Sequence, residues 1–265
     1  MNGQAASHGE GQLTDDAFLG GALSILQPRS GYRAGLDAVM LAAAVPAGPG
    51  KARRVLDVGA GVGTAGLCLA RRDALAHVTL LERQPELARI AAQNVERNGL
   101  TTRVRVVEGD VGLSAAALRG LGLATESFDH VMANPPFHGL GEGTLAPDVL
   151  KAGAHAMPEA DLERWARFMA RMAAPGGGAT VIHKAEALIR LLGVLEGRFG
   201  ALKVLPLHPR ASAPAHRIIV QGIKGSRALP TLLPGFVLHG ADDAFTPEAQ
   251  ATLRTGAALP MAPAL

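Results

Sequence analysis

Apolar residues recur along this chain in two rhythms. Short apolar runs at Val55–Val58, Val78–Glu82, Val104–Val107, Phe128–Ala133 and Ala179–His183 read as strands. Between them lie stretches of helical spacing. Thr64 to Arg72 fits a helix. Pro85 at a start and Gly99 just past an end bracket a second over Pro85–Asn98. Glu159 to Ala173 fits a third, closed by Pro175 and three glycines, and Ala185 to Glu196 a fourth. His216 to Ile223 reads as a late strand. Strands alternating with helices predict an α/β fold, with a mostly parallel sheet and helices on both faces.

Ahead of this rhythm, Ala22 to Gln27 reads as a short strand and Gln27 to Gly35 as a loop punctuated by Pro28, Gly31 and Gly35. A helix follows from about Asp37, with Leu36, Val39, Met40 and Ala43 at helical spacing, and Pro46 ends it. Residues 1–17 carry little apolar content and are expected to be a flexible tail. Residues 18–265 are expected to form a single domain, with a cap segment over 20–45. Leu229 to Leu265 is rich in Pro and Ala and is expected to wrap the surface. No fixed-period repeat is visible.

Composition narrows the classes. With 265 residues, 48% of them hydrophobic and 18% charged, there is ample material for a core, which excludes a wholly disordered chain. No run approaches the ~18 apolar residues of a membrane helix. Met1 to Asp16 lacks the basic and apolar regions of a secretory signal. Cys68 is the single cysteine, so no intrachain disulfide forms and a reducing, cytoplasmic setting is expected. A net charge of +3 does not itself argue for nucleic acid. Its distribution says more: between Glu196 and Asp242 there is no acidic residue, while Arg198, Lys203, Arg210, Arg217, Lys224 and Arg227 all fall there. This is either a solvated face or a face for a polyanion.

Asp57-Val58-Gly59-Ala60-Gly61-Val62-Gly63 stands where the first strand of the alternating region should end. Glycines there permit a tight turn and close approach of a ligand, in the crevice at the carboxyl ends of the strands. Thr64 breaks the Gly-x-Gly-x-x-Gly pattern of dinucleotide sites. Glu82 closes the second strand, where an acid can accept from both ribose hydroxyls. Asp110 follows the third, where a carboxylate can accept from an adenine amino group. Together the three positions describe an adenosine site with no phosphate to hold.

Segment 55–110 therefore resembles the S-adenosylmethionine site of class I methyltransferases. The resemblance implies a Rossmann-like, mostly parallel seven-stranded sheet. It implies Gly59, Gly61 and Gly63 facing the methionine part, with Asp57 opening the motif, Glu82 on ribose and Asp110 on adenine.

Asn134-Pro135-Pro136-Phe137 directly follows the fourth of these strands. The lone pair of an exocyclic amino or amide nitrogen is delocalised, so such a nitrogen is a poor nucleophile. Two acceptors, the Asn134 side-chain oxygen and the Pro135 carbonyl, can hold its N–H groups. Two prolines stiffen the loop, and Phe137 offers a flat face. The catalytic contribution expected of Asn134, Pro135, Pro136 and Phe137 is positioning and electrostatics; Asn134 is also a cofactor-binding candidate. The motif resembles the (Asn/Asp)-Pro-Pro-(Tyr/Phe) motif of amino-directed methyltransferases, whose acceptors include adenine N6, cytosine N4, guanine N2 and a glutamine amide.

Two features narrow the acceptor. Gln27 to Ala44 resembles the segment ahead of the glycine loop in the bacterial tRNA adenine-N6 methyltransferases that modify the adenine beside the anticodon of a valine tRNA. The resemblance implies Arg33 and Asp37 near the methionine end of the cofactor; Leu36 departs from the Thr or Ser of many relatives. The basic stretch after Glu196 resembles the same family and implies RNA contacts from Lys203, Arg210, Arg217, Lys224 and Arg227. The expected function is methylation of an exocyclic amino nitrogen of RNA, adenine N6 in a tRNA anticodon loop. Guanine-N2 methylation of ribosomal RNA, glutamine-amide methylation of protein, and a non-catalytic cofactor- or RNA-binding regulator are the alternatives. No membrane partner is expected, and oligomeric state is not readable. Cys68 is expected to be packing, and Trp165 and Met169 core. His138, His155 and His183 match no metal-site spacing, so no metal is expected.

Overall fold

The computed structural model describes residues 13–31, 33–48, 50–136 and 159–261. The chain runs β1 (Leu13–Phe18), β2 (Leu23–Pro28), α1 (Leu36–Ala44), β3 (Arg53–Val58), α2 (Thr64–Arg72), β4 (Ala76–Glu82), α3 (Pro85–Arg97) and β5 (Val104–Glu108). It continues through α4 (Ala115–Gly120), β6 (Phe128–Ala133), α5 (Glu159–Met172), β7 (Ala173–Lys184), α6 (Leu188–Leu195), β8 (Phe199–Arg210) and β9 (Arg217–Lys224). It closes with β10 (Thr231–Leu232), β11 (Phe236–His239) and α7 (Pro247–Thr255).

The main sheet has the order β10-β8-β9-β7-β6-β3-β4-β5, with β11 also on β8. β5, β4, β3, β6 and β7 are mutually parallel. β9 runs antiparallel between β7 and β8. Seven long strands thus make the expected sheet, and two short ones extend its β8 edge, giving nine among the described residues.

Both faces of the sheet are covered. Val55, Val78, Leu80, Val104 and Met132 point into one core with α1, α2, α3, α7 and the β1–β2 hairpin. Leu56, Leu81, Val107, Val131 and Ala133 point into a second with α4, α5 and α6. Strands buried on both faces read as unbroken apolar runs rather than alternation, which is why these segments were the clearest in the sequence.

Three expectations need correction. Residues 13–17, expected in a flexible tail, belong to β1, which pairs antiparallel with β2. Residues 229–265 do more than wrap the surface: Leu233, Phe236, Ala249, Leu259 and Met261 are buried in the first core. Pro175 and its three glycines, expected to close the helix before them, lie inside the long β7, which begins at Ala173 directly after α5. The β1–β2 hairpin is tied to α3 by Asn94, fully buried, whose Oδ1 accepts from Leu26 N (2.8 Å) and whose Nδ2 donates to Leu26 O (2.9 Å) and Val62 O (3.0 Å). No described helix is long and apolar enough to cross a membrane.

Candidate functional site

The carboxyl ends of β3, β4, β5 and β6 open onto one cavity of about 690 Å³. Gly59 and Gly61 follow β3, Glu82 ends β4, Gly109 and Asp110 follow β5, and Asn134, Pro135 and Pro136 follow β6. Parallel strands place all of these at one edge of the sheet, which is why residues far apart in sequence converge. Arg33 and Asp37 line it from the segment before α1, and Trp165 from α5.

Gly59, Gly61 and Gly63 have φ of 66°, 57° and 88°. At Gly59 the requirement for glycine is twofold: the backbone is left-handed, and a Cβ there would overlap the Trp165 ring at Cη2. Glu82, buried, braces the loop: its Oε2 accepts from Gly61 N (2.8 Å) and its Oε1 from Gln84 N (2.8 Å).

Asp57 and Gly63 do not line the cavity. The Asp57 carboxylate turns away and accepts from Gly66 N, in the first turn of α2, at 2.9 Å. Burial pushes its carboxyl up to about 7 against that hydrogen bond, and the charge of Glu82 adds to the rise. Asp57 thus fixes the join between loop and helix rather than presenting a ligand group.

Asp110 Oδ1 accepts from Gly112 N and from Arg164 Nη2, both at 2.7 Å, and Arg83 Nε lies 3.7 Å from Oδ2. Arg33 donates to Asp16 Oδ2 (3.0 Å), Thr14 Oγ1 (2.9 Å) and Pro28 O (2.9 Å), so it is held to the hairpin at the cavity edge. Asp37 Oδ2 accepts from Arg217 Nε at 2.9 Å.

Asn134 carries the most telling atom. Its Oδ1 is buried and has no hydrogen-bond partner among the described residues, as is also true of Trp165 Nε1. A buried polar atom without a partner costs about 1–3 kcal/mol, a cost a bound ligand would relieve. Phe137 lies outside the described residues, as do His138 and His155.

The five basic residues expected to contact RNA do not share a patch. Arg217, on β9, lines the cavity, and Arg210 lies at the same end of β8, paired with Asp243. Lys203 sits mid-strand. Lys224 is at the far end of β9, bound to Glu126 and Ala173 O (2.8 Å each), and Arg227 follows it. Seven residues of strand separate Arg217 from Lys224, about 23 Å.

Trp165, expected in the core, is buried there and also walls the cavity. Arg83 and Arg164 were not singled out, and nothing in their local sequence marks them. Among the described residues no group of three or more His, Cys, Asp and Glu could hold a metal ion.

The donor set suits S-adenosylmethionine: acids at the ends of β4 and β5, a Cβ-free turn beside them, and, within the same cavity, an acceptor unsatisfied among the described residues. Comparison with known proteins agrees. Residues 36–159 match the family model described as Methyltransferase small domain. A tRNA1(Val) (adenine(37)-N6)-methyltransferase of Glaesserella parasuis is 27% identical over 148 residues, 55% of this chain and 57% of that protein. A 4-amino-L-phenylalanine/4-methylamino-L-phenylalanine methyltransferase of Streptomyces pristinaespiralis is 33% identical over 157 residues, 52% of this chain and 48% of that one. The chain spans about half the length of the curated relatives it matches. A crystal structure titled as a predicted O-methyltransferase from Agrobacterium tumefaciens is 32% identical, with a TM-score of 0.70, covering 84% of this chain and 98% of that one. With that match along nearly a whole relative, and with the cavity where the sequence expects it, the chain belongs to the class I S-adenosylmethionine-dependent methyltransferases.

Proposed function

We propose that this protein methylates an exocyclic amino nitrogen of RNA, adenine N6 in a tRNA anticodon loop. The observation that carries the reading is the buried Asn134 Oδ1 beside Pro135, without a partner among the described residues, in one cavity with Glu82 and Asp110. An amino group on an aromatic ring has two N–H donors and a delocalised lone pair. Asn134 Oδ1 accepts one N–H and the Pro135 carbonyl the other, which turns the lone pair out of the ring plane. A hydroxyl acceptor has one proton and would leave one of these oxygens unmet, so the two acceptors favour nitrogen over oxygen.

S-adenosylmethionine supplies an electrophilic methyl group. Glu82 would hold its ribose, Asp110 its adenine amino group, and Gly59 and Gly61 its methionine part, with Arg33 and Asp37 at that end. No general base is required, because the proton leaves the nitrogen after alkylation. Asp57, buried behind the loop, is out of reach of the acceptor. Phe137 would give the target base a face to lie on.

The acceptors named for the two relatives support the acceptor class, since adenine N6 and the amine of 4-aminophenylalanine are amino groups on aromatic rings. An anticodon-loop base is easier to unstack than one in a duplex. Arg83, which lines the cavity, and Arg164, paired with Asp110 beside it, are exposed cations that would meet its phosphates.

The test is methyl transfer from labelled S-adenosylmethionine to bulk RNA from a strain lacking the protein, with the product nucleoside identified by mass spectrometry. N6-methyladenosine in tRNA, reduced about 10²–10³-fold by Asn134→Ala, is the expected result. N2-methylguanosine in ribosomal RNA would replace the adenine assignment. Absence of any RNA product, with a free arylamine or a protein amide accepted instead, would overturn the RNA reading.

A further inference from the structure

We propose that Asp16 is a positioning residue for the cavity: from the N-terminal hairpin it fixes, through Arg33, the wall formed by residues 33–37. The inference rests on the methyltransferase reading of that cavity.

One oxygen of Asp16 gathers three donors. Its Oδ2 accepts from Thr14 Oγ1 (2.7 Å), Gln27 Nε2 (2.8 Å) and Arg33 Nη2 (3.0 Å). The same partners hold the wall a second time. Arg33 Nη1 donates to Thr14 Oγ1 and to Pro28 O, each at 2.9 Å. Gln27, buried, turns its Oε1 to accept from the backbone N–H of Ala34 at 2.9 Å. Both the side chain of Arg33 and the main chain of Ala34 are therefore fastened to the hairpin.

The wall needs such fastening. Residues 33–35 have no regular secondary structure, and Gly35 adds backbone freedom that binding would have to remove. Only from Leu36 does α1 hold the chain. The hairpin is a fixed base for this purpose, because Asn94 ties it to both α3 and the glycine loop at Val62. At the other end of the wall, Arg217 holds Asp37.

The role is separable from simple stability. The Asp16–Arg33 pair is about one-third exposed on each side (35% and 38%), and ion pairs so placed add little to folding. Asp15, next along the same strand, points to the other side and pairs with Arg97 on α3 at 2.5 Å. It carries the same charge and the same kind of partner, but that partner does not line the cavity.

The experiment compares Asp16→Ala, Asp15→Ala and wild type in the full chain. Binding of S-adenosylhomocysteine is measured by calorimetry, and amide exchange of residues 33–37 is measured without ligand. Asp16→Ala is expected to raise the Kd about tenfold. KM for S-adenosylmethionine should follow it, with kcat within about twofold of wild type. Exchange at 33–37 should speed up while α3 stays protected, and Asp15→Ala should change neither quantity. Asp16→Asn keeps an acceptor for Thr14 and Arg33 and should recover most of the affinity. If Asp16→Ala does not fold, Thr14→Val removes two of the same hydrogen bonds and should show the same pattern more weakly.

An unchanged Kd and unchanged exchange in Asp16→Ala, or equal effects of Asp15→Ala, would overturn the inference while leaving the methyltransferase reading intact. Failure of the wild-type protein to bind S-adenosylhomocysteine would count against that reading instead. The exchange measurement would still decide whether Asp16 fixes the wall.

Discussion

Alanine at Gly59 would set a Cβ against the Trp165 ring in a backbone with φ of 66°. The strained conformation alone costs about 1–3 kcal/mol, and the ring must also move. Gly59→Ala is expected to lose most S-adenosylhomocysteine affinity by calorimetry, and adding Trp165→Leu should recover part of it by relieving the overlap but not the strain. Cys68 makes the opposite case. It is 1% exposed, and burial pushes its thiol up to about 12, with Asp57 adding to the rise. It should resist a thiol reagent in the native protein and react only on unfolding. At this scale the sequence made the placement of Glu82, Asp110 and Asn134 around one cavity legible, because each stands at or just past its own strand end. It misled at Asp57, because spacing cannot tell which way a carboxylate turns. It was silent on the Asp37–Arg217 contact, because no local pattern joins residues 180 apart.

Among elements, the doubly buried strands and the helices between them could be read from apolar runs and from Pro and Gly boundaries; Thr64–Arg72 and Phe128–Ala133 fall where spacing puts them. β1 could not, since LTDDAF holds two adjacent acids and gains its strand geometry from pairing with β2. β8 was hidden by its internal Pro206 and Gly200, which an edge-side strand tolerates. Three central strands also share a buried polar link: His130 Nε2 lies 2.8 Å from Thr180 Oγ1, which accepts from Gln221 Nε2 (3.2 Å). Burial, assisted by Arg53, drives His130 down to about 3. Its unfolded state therefore binds more protons below pH 6.5, and its contribution to stability falls as pH drops from 6.5 towards 3. Asp57, raised to about 7, has the opposite sign: its contribution is full below pH 4 and is lost as pH rises through 7. The two oppose each other between pH 4 and 6.5. Urea unfolding across that range should show His130→Gln shifting the slope of stability with pH negative relative to wild type, and Asp57→Asn shifting it positive. Each shift is at most about 1.4 kcal/mol per pH unit.

For the whole molecule, the cations are better judged by position than by number. Arg83 lines the cavity and, with Arg164, is paired with Asp110 there, whereas Lys224 is held by Glu126 at the far end of the sheet. On the proposed RNA reading, Arg83→Ala should weaken tRNA binding and reduce its salt slope by about 1, while Lys224→Ala should change neither, as measured by filter binding over a salt series. The C-terminal ends of α1 and α7 are bound to α2 by one side chain: Arg72 donates to Ala42 O and Val45 O and, across 184 residues, to Gly256 O. The contact between Asp37 and Arg217 has a consequence in time. A ribosome adds about 5–20 residues per second, so roughly 9–36 s pass between the making of Asp37 and the making of its partner. Throughout that interval the glycine loop, Glu82 and Asp110 can already be in place on their strands while the Asp37 end of the wall opposite them stands without its brace. Nascent chains arrested before Arg217 should therefore bind S-adenosylhomocysteine more weakly than released protein, and competence for chemistry arrives late in synthesis, after most of the sheet has been laid down.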